Sequence, residues 1–255
     1  MITLKNPAQI AKMRSAGHLL YDILQSIHEV IKAGESTVAI DAYAEEKIRR
    51  AGAIPSFLNY QGFPKSICAS IDDEVVHGIP SDEVVLSEGS ILSIDCGLIL
   101  DGWQADSAFT IAIGEVTPQK AELIRVTEEC FFKGAAAALD GNRIGDIGHA
   151  VQKLAESHHF GVVRELTGHG IGRNMHEDPS VPNYGLPGHG TRLKNGMVIA
   201  IEPMITLGSY RVMEMADGWT IKTVDGSACA HYEHTVAVTP QGPELLTFPG
   251  YRFPG

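Results

Sequence analysis

Four acids and one histidine in this chain stand where ionised groups are costly, and together they have the donor chemistry of a metal site. Asp95 closes the apolar run Ile-Leu-Ser-Ile-Asp, and Glu202 sits in Val-Ile-Ala-Ile-Glu, directly before Pro203. Asp106 and Glu233 lie in further strand-like stretches. His169 lies in Leu-Thr-Gly-His-Gly, where the glycines let backbone approach closely. A carboxylate inside an apolar strand is expensive to bury unless it is paired or bound to metal. One such acid alone would read as a strand end emerging into water. Four of them with an imidazole form an oxygen-rich, only slightly soft set that suits paired Mn, Fe or Co, with Zn also admissible. Bridging carboxylates would hold two ions ~3.5–4 Å apart and activate water at neutral pH. Hydrolysis is the expected chemistry.

Elements must bring these residues together. Ser90 to Leu100 and Trp103 to Ile113 read as strands joined by Asp101-Gly102, a strong hairpin dipeptide. A two-residue loop there pairs Leu100 with Trp103 and Gly97 with Asp106. Asp95 and Asp106 then share a face as diagonal neighbours, roughly 7 Å apart at the backbone. Carboxylates that close repel each other unless a cation sits between them. An internal echo extends the pattern. Gly89-Ser-Ile-Leu-Ser-Ile-Asp95 resembles Gly196-Met-Val-Ile-Ala-Ile-Glu202. Each copy follows a helical stretch and a histidine, His77 and then His176. Each is followed by a second strand acid, Asp106 and then Glu233. The expectation is two pseudo-symmetric α+β halves, about 36–115 and 143–240, that place their acids at a shared centre.

The remaining elements frame that centre. Asn6-Pro7 starts a helix whose apolar stripe runs through Ile10, Met13, Leu20, Leu24, Ile27 and Ile31, with Gly34 as its stop. Helices are expected at 36–50, 117–139 and 144–158, and strands at 196–207, 219–223 and 230–239. Residues 55–70 are turn-rich and aromatic and read as an irregular wall. If the strand around Glu233 is regular, His231 shares its face and His234 points away; neither receives a role.

No linker or low-complexity run divides the 255 residues, so one catalytic domain over 1–255 is expected. The formal charge of −11 argues against nucleic acid or anionic lipid as partner, and fits peptides with a free amino terminus. Cys68, Cys96, Cys130 and Cys229 form no pair by spacing and read as buried thiols. The first residues contain no apolar signal segment, and no stretch approaches the ~18 apolar residues of a membrane span. A cytoplasmic location is the expectation.

Several stretches carry a family resemblance: DDEVVHGIP (72–80), SIDCG (93–97) with Asp106 beyond it, TGHGIGRNMHEDP (167–179), IEPM (201–204) and YEHT (232–235). Together they resemble the short bacterial form of the type I methionine aminopeptidases, within the pita-bread metallopeptidase family. The resemblance implies a pita-bread fold, with a mainly antiparallel central sheet and helices outside. It implies removal of the N-terminal methionine from nascent chains, favouring a small second residue. Asp95, Asp106, His169, Glu202 and Glu233 match the family's ligands for two divalent ions, with Asp106 and Glu233 bridging. His77 matches the histidine at the scissile amide, and His176 the one at the carbonyl oxygen. Glu202 is also the ligand credited with moving protons.

The same resemblance places the methionine pocket at Tyr60, Phe63, Cys68, Met175 and Trp219, with Phe57 at its edge. Two departures stand out: Met175 replaces a common Phe, and Phe57 a common Cys. Asp72 stands where Asn is common, beside a monovalent-cation site in some relatives. A monomer working on nascent N-termini near the ribosome is implied. The short span from Glu202 to Glu233 leaves no room for the helical insertion of type II enzymes. Ile2 is large, so the family's rule would leave this chain's own Met1 in place. Two other readings compete: a pita-bread peptidase for proline-containing peptides, and a non-enzymatic peptide-binding relative. The first usually carries a large extra N-terminal domain, and the second loses ligands that are all present here.

Overall fold

Asn6 and Gln9 cap the first helix reciprocally, each side chain accepting the other's backbone N–H, and Pro7 occupies the first helical position. This helix, α1 (Pro7–Val30), ends before Gly34. Ile31 already takes extended backbone, and Gly34, at φ 87°, serves the turn that follows. Ser36 caps α2 (Thr37–Arg50), which leads to β1 (Ile54–Pro55), β2 (Ile67–Ile71) and β3 (Glu74–Val76). The long strands β4 (Ile91–Leu100) and β5 (Trp103–Ala112) come next, then α3 (Pro118–Ala136) and α4 (Ile144–Ser157). The second half continues through β6 (Gly161–Val162), β7 (Gly168–Gly170), β8 (Glu177–Val181), β9 (Val198–Ile201) and β10 (Met204–Thr206). It closes with β11 (Val212–Glu214), β12 (Ile221–Thr223), β13 (Cys229–His231), β14 (Glu233–Thr239) and β15 (Gly242–Leu245). The computed structural model describes residues 1–253.

One nine-stranded antiparallel sheet runs in the order β1-β4-β5-β14-β9-β7-β8, with β2 added on β4 and β15 on β14. The β4–β5 ladder runs unbroken from Ile91↔Ala112 to Leu100↔Trp103 and contains the expected Gly97↔Asp106 pair. Asp101 and Gly102 both have positive φ, at 51° and 74°, as a turn matched to the strand twist requires. Leu92, Ile94, Cys96 and Leu98 pack with Leu20, Leu24 and Ile27 of α1 and with Ile40 and Ile48 of α2. Strand alternation therefore turns Asp95 to the opposite face. Phe131 of α3 and Ile147 of α4 cover Ile199, Ile201, Val236 and Val238 in the same way. Helices thus lie over one face in each half, and the acids face the other.

Three expectations differ from the structure. The wall at 55–70 contains β2, whose residues 67–70 are all buried and so show no alternation to betray a strand. The expected strand 196–207 breaks after Ile201, because Pro203 has no N–H to donate to a ladder. The expected strand 230–239 breaks at Tyr232, whose N–H donates to the carbonyl of Pro203. Both chains leave the main sheet at this crossing, and β13, β10 and β6 form a separate sheet of three. A further three-stranded sheet joins β11, β12 and β3. Among the described residues, no helix is long and apolar enough to cross a membrane.

Candidate metal centre

Asp95 pairs with Ala108, and Ala108 pairs with Glu233, so one row across β4, β5 and β14 reads acid, methyl, acid. Asp106 lies two residues along β5 on the same face. On the far side, β14 pairs with β9 through His234↔Ile201, and one further step in that register sets Glu202 opposite Glu233. His169 comes from β7, which joins β9 through Gly170↔Ile199. Its flanking glycines are a steric requirement. A Cβ at Gly168 would lie 2.3 Å from the Ala200 carbonyl oxygen, and one at Gly170 2.1 Å from that of Asp178.

One ligand atom each from Asp106, His169 and Glu233 lie within 4.8 Å of one another. His169 Nε2 stands 3.7 Å from Glu202 Oε1 and 3.9 Å from Asp106 Oδ2. Asp95 completes the group from the neighbouring strand β4, diagonal to Asp106 on the same face. Asp106, His169 and Glu233 are buried, and Asp95 and Glu202 line the same cavity. Asp95 Oδ1, Asp106 Oδ1 and Glu233 Oε1 are buried without any hydrogen-bond partner. Orphaned carboxylate oxygens converging on a neutral imidazole are the signature of a divalent-cation site, and the donor set fits one.

The electrostatics agree. Burial and mutual repulsion push Asp95, Glu202 and Glu233 well above the ordinary carboxylate range. Burial raises Asp106 to about 7. Burial lowers His169 to about 4, so the ring is neutral at pH 7. Its Nδ1 lies 2.9 Å from the Gly170 carbonyl oxygen. Donation there leaves the lone pair on Nε2, the nitrogen that faces the acids.

Every pocket residue named from the sequence lines one cavity of about 240 Å³ with the five candidate ligands. Phe57, Phe63, Cys68 and Met175 form its buried apolar end, and Trp219 meets the Phe63 ring edge-on at 5.1 Å. His77 packs against Trp219 and is held at φ 61°, a strained backbone for a non-glycine residue. The Tyr60 hydroxyl lies 2.8 Å from His176 Nδ1, and the His176 ring meets that of His169 at 4.3 Å. Burial lowers the pKa of both His77 and His176.

Other contributors escaped the sequence reading. Val76, Leu166 and Met204 also line the cavity. Ala108 is the methyl floor between two acids, and nothing but strand register marks it. The loop carrying Met175 and His176 is held by Glu177, which accepts the backbone N–H groups of Arg173 and Asn174 and pairs with Lys5 at 2.7 Å. Lys5 is buried, and only its contact across the chain reveals it. Lys120 places its ammonium 2.6 Å from Asp72 Oδ1 and 2.8 Å from the Gly89 carbonyl oxygen. A cation of the chain itself thus sits beside the acid that stands near a monovalent-cation site in some relatives. His231, given no role from the sequence, stands 3.8 Å from Glu233 and 4.0 Å from Glu202.

Residues 11–240 match Metallopeptidase family M24. A methionine aminopeptidase of Clostridium acetobutylicum is 53% identical over 247 residues, covering 97% of this chain and 99% of that protein. Methionine aminopeptidase 1 of Bacillus subtilis is 47% identical over 247 residues, with the same coverage of 97% and 99%. The crystal structure of methionine aminopeptidase from Rickettsia prowazekii superposes with a TM-score of 0.95 at 43% identity, covering 97% of this chain and all of that one. The α+β architecture is therefore the pita-bread fold, with a curled antiparallel sheet backed by helices. By profile, by identity along nearly its whole length and by fold, this chain belongs to metallopeptidase family M24.

Proposed function

We propose that this chain removes the N-terminal methionine from nascent polypeptides by metal-assisted hydrolysis of the first peptide bond, favouring a small second residue. One observation carries the reading. The acid cluster and the apolar pocket of Phe57, Phe63, Cys68 and Met175 share a single cavity, so a free amino terminus and a thioether side chain fit at once. The methionine aminopeptidases of Clostridium acetobutylicum and Bacillus subtilis match nearly the whole chain.

Asp95, Asp106, His169, Glu202 and Glu233 would together hold the divalent ions. Mn, Fe, Co and Zn all suit the set. When bound, the ions supply Lewis-acid polarisation and lower the pKa of water. Asp95 and its neighbours attract the substrate's ammonium group, while Phe63, Trp219 and Met175 enclose its side chain. His77 contacts the scissile amide. If the Tyr60 hydroxyl donates to His176 Nδ1, then His176 Nε2 carries the proton and donates to the developing oxyanion. Glu202 accepts a proton from water and passes it to the leaving amine. The whole chain acts as one catalytic unit of two halves, a cytoplasmic monomer meeting N-termini near the ribosome.

The test is turnover of Met-Ala-Ser and of an X-Pro peptide by chain stripped of metal and reloaded anaerobically with each ion. Cleavage of Met-Ala-Ser that vanishes on chelation and returns with metal is expected. Cleavage of the X-Pro peptide alone, or activity untouched by exhaustive chelation, overturns the reading.

A further inference from the structure

His231 is fully enclosed, and its Nε2 is one of the few buried side-chain nitrogens without a partner among the described residues. That nitrogen faces Glu202 Oε2 at 4.0 Å and Glu233 Oε2 at 3.8 Å. The other oxygen of Glu202, Oε1, is the one that faces His169. The carboxylate of Glu202 therefore stands between two imidazoles, with one oxygen toward each. We propose that His231 is a positioning residue for the metal ligands: its Nε2–H donates to the outer oxygens of Glu202 and Glu233 and so fixes the direction of their inner oxygens.

Three features support this beyond proximity. The ring is rigidly placed, because Thr110 grips the His231 backbone from both sides. The Thr110 hydroxyl accepts the His231 N–H at 2.9 Å and lies 2.8 Å from its carbonyl oxygen. The ring is also independent of the strand it supports, since β13 pairs with β10 through Met204↔His231 while β14 belongs to the main sheet. Finally, among the described residues neither carboxylate has another hydrogen-bond donor. Buried Asp41 accepts the N–H groups of Ser66 and Ile67, whereas Glu202 and Glu233 receive none from the backbone. The present separations are about 1 Å longer than a hydrogen bond, a gap that a small rotation of either carboxylate closes. Outer donors of this kind orient ligands and typically change metal affinity by about 10- to 100-fold.

The inference rests on the reading of the five residues as metal ligands, and the experiment separates the two. Metal-free parent, His231→Leu and His231→Gln proteins are titrated with Mn or Co by calorimetry, and thermal melting of each metal-free form reports folding. His231→Leu should weaken the tighter ion by about 10- to 100-fold. His231→Gln, whose amide keeps an N–H donor, should stay within about threefold of the parent. Unchanged affinity in the folded Leu variant overturns the proposal. Equal losses in both variants overturn it too, because they would make the ring nitrogen itself a ligand. Long-range nitrogen–proton NMR of the zinc-loaded parent needs no variant. His231 should appear with Nε2 protonated, and an unprotonated Nε2 refutes the donor role. A parent that binds no metal at all would bring down the ligand reading and this inference together.

Discussion

In the first half, Asp95 and Asp106 are joined by a two-residue turn and a continuous ladder from Leu100↔Trp103 to Ile91↔Ala112. In the second, Glu202 and Glu233 become neighbours although β10, β11, β12 and β13 all lie between them in the chain. The first pair is therefore fixed by local geometry, and its two acids sit diagonally. The second pair forms where both strands change sheets, at Pro203 and Tyr232, and its acids sit face to face. There the ladder no longer sets direction, and other groups must do so: Asn183 donates to the Glu202 carbonyl at 2.9 Å, and His231 stands behind both carboxylates. A regular hairpin aims its own side chains. A strand switch leaves that task to neighbours.

This contrast can be broken in several ways. The largest effect is expected at the switch: Glu202→Ala or His169→Ala should cut turnover by about 10³-fold or more while the protein stays folded, several kcal/mol at roughly 1.4 kcal/mol per tenfold. Full activity in either variant would remove the site. Next comes the floor of the regular half. Ala108→Leu fills the space between Asp95 and Glu233, and an overpacking cost of about 1–3 kcal/mol should weaken metal binding by about 5- to 150-fold. Calorimetry that finds parental affinity would mean the row is not the floor of the site.

The carboxyl pair of the first half should also set a pH dependence. Burial raises Asp106 to about 7, so below that pH a bound proton competes with metal. Affinity should fall about tenfold per unit as pH drops from about 7 toward 6; equal affinity at both ends would contradict the shared carboxyl site. The smallest change is expected at the strap on the second half. Lys5→Met leaves Glu177 without its cation and should cost about 2–3 kcal/mol of stability. The same change should lower kcat severalfold through the His176 loop, with metal affinity unchanged. A variant with parental melting and kcat would show the strap to be idle.

What could be read in advance follows the same division. Asn6-Pro7 announces α1, and Asp101-Gly102 fixes the β4–β5 register that sets Asp95 and Asp106 on one face, because each signal acts over a few residues. The family motifs named five candidate ligands, and the structure brings them to one cavity. The β2 strand stayed hidden because burial on both faces removes alternation. The breaks at Pro203 and Tyr232 come from each other's position across the crossing, so neither stretch shows them alone. His231 was legible as a face-mate of Glu233 only on the premise of a regular strand. The strand is broken, yet the ring still arrives beside Glu233, carried there by a different sheet.

The seam between the halves holds one last consequence. β5 and β14 pair in register at Glu233↔Ala108 and His234↔Ser107, and the first of these carries a candidate ligand. Contacts this distant in sequence form late, since a long loop must close before they return any stabilisation. No fragment ending before β14 contains Glu233. The candidate metal centre is therefore complete only once the final strands are in place.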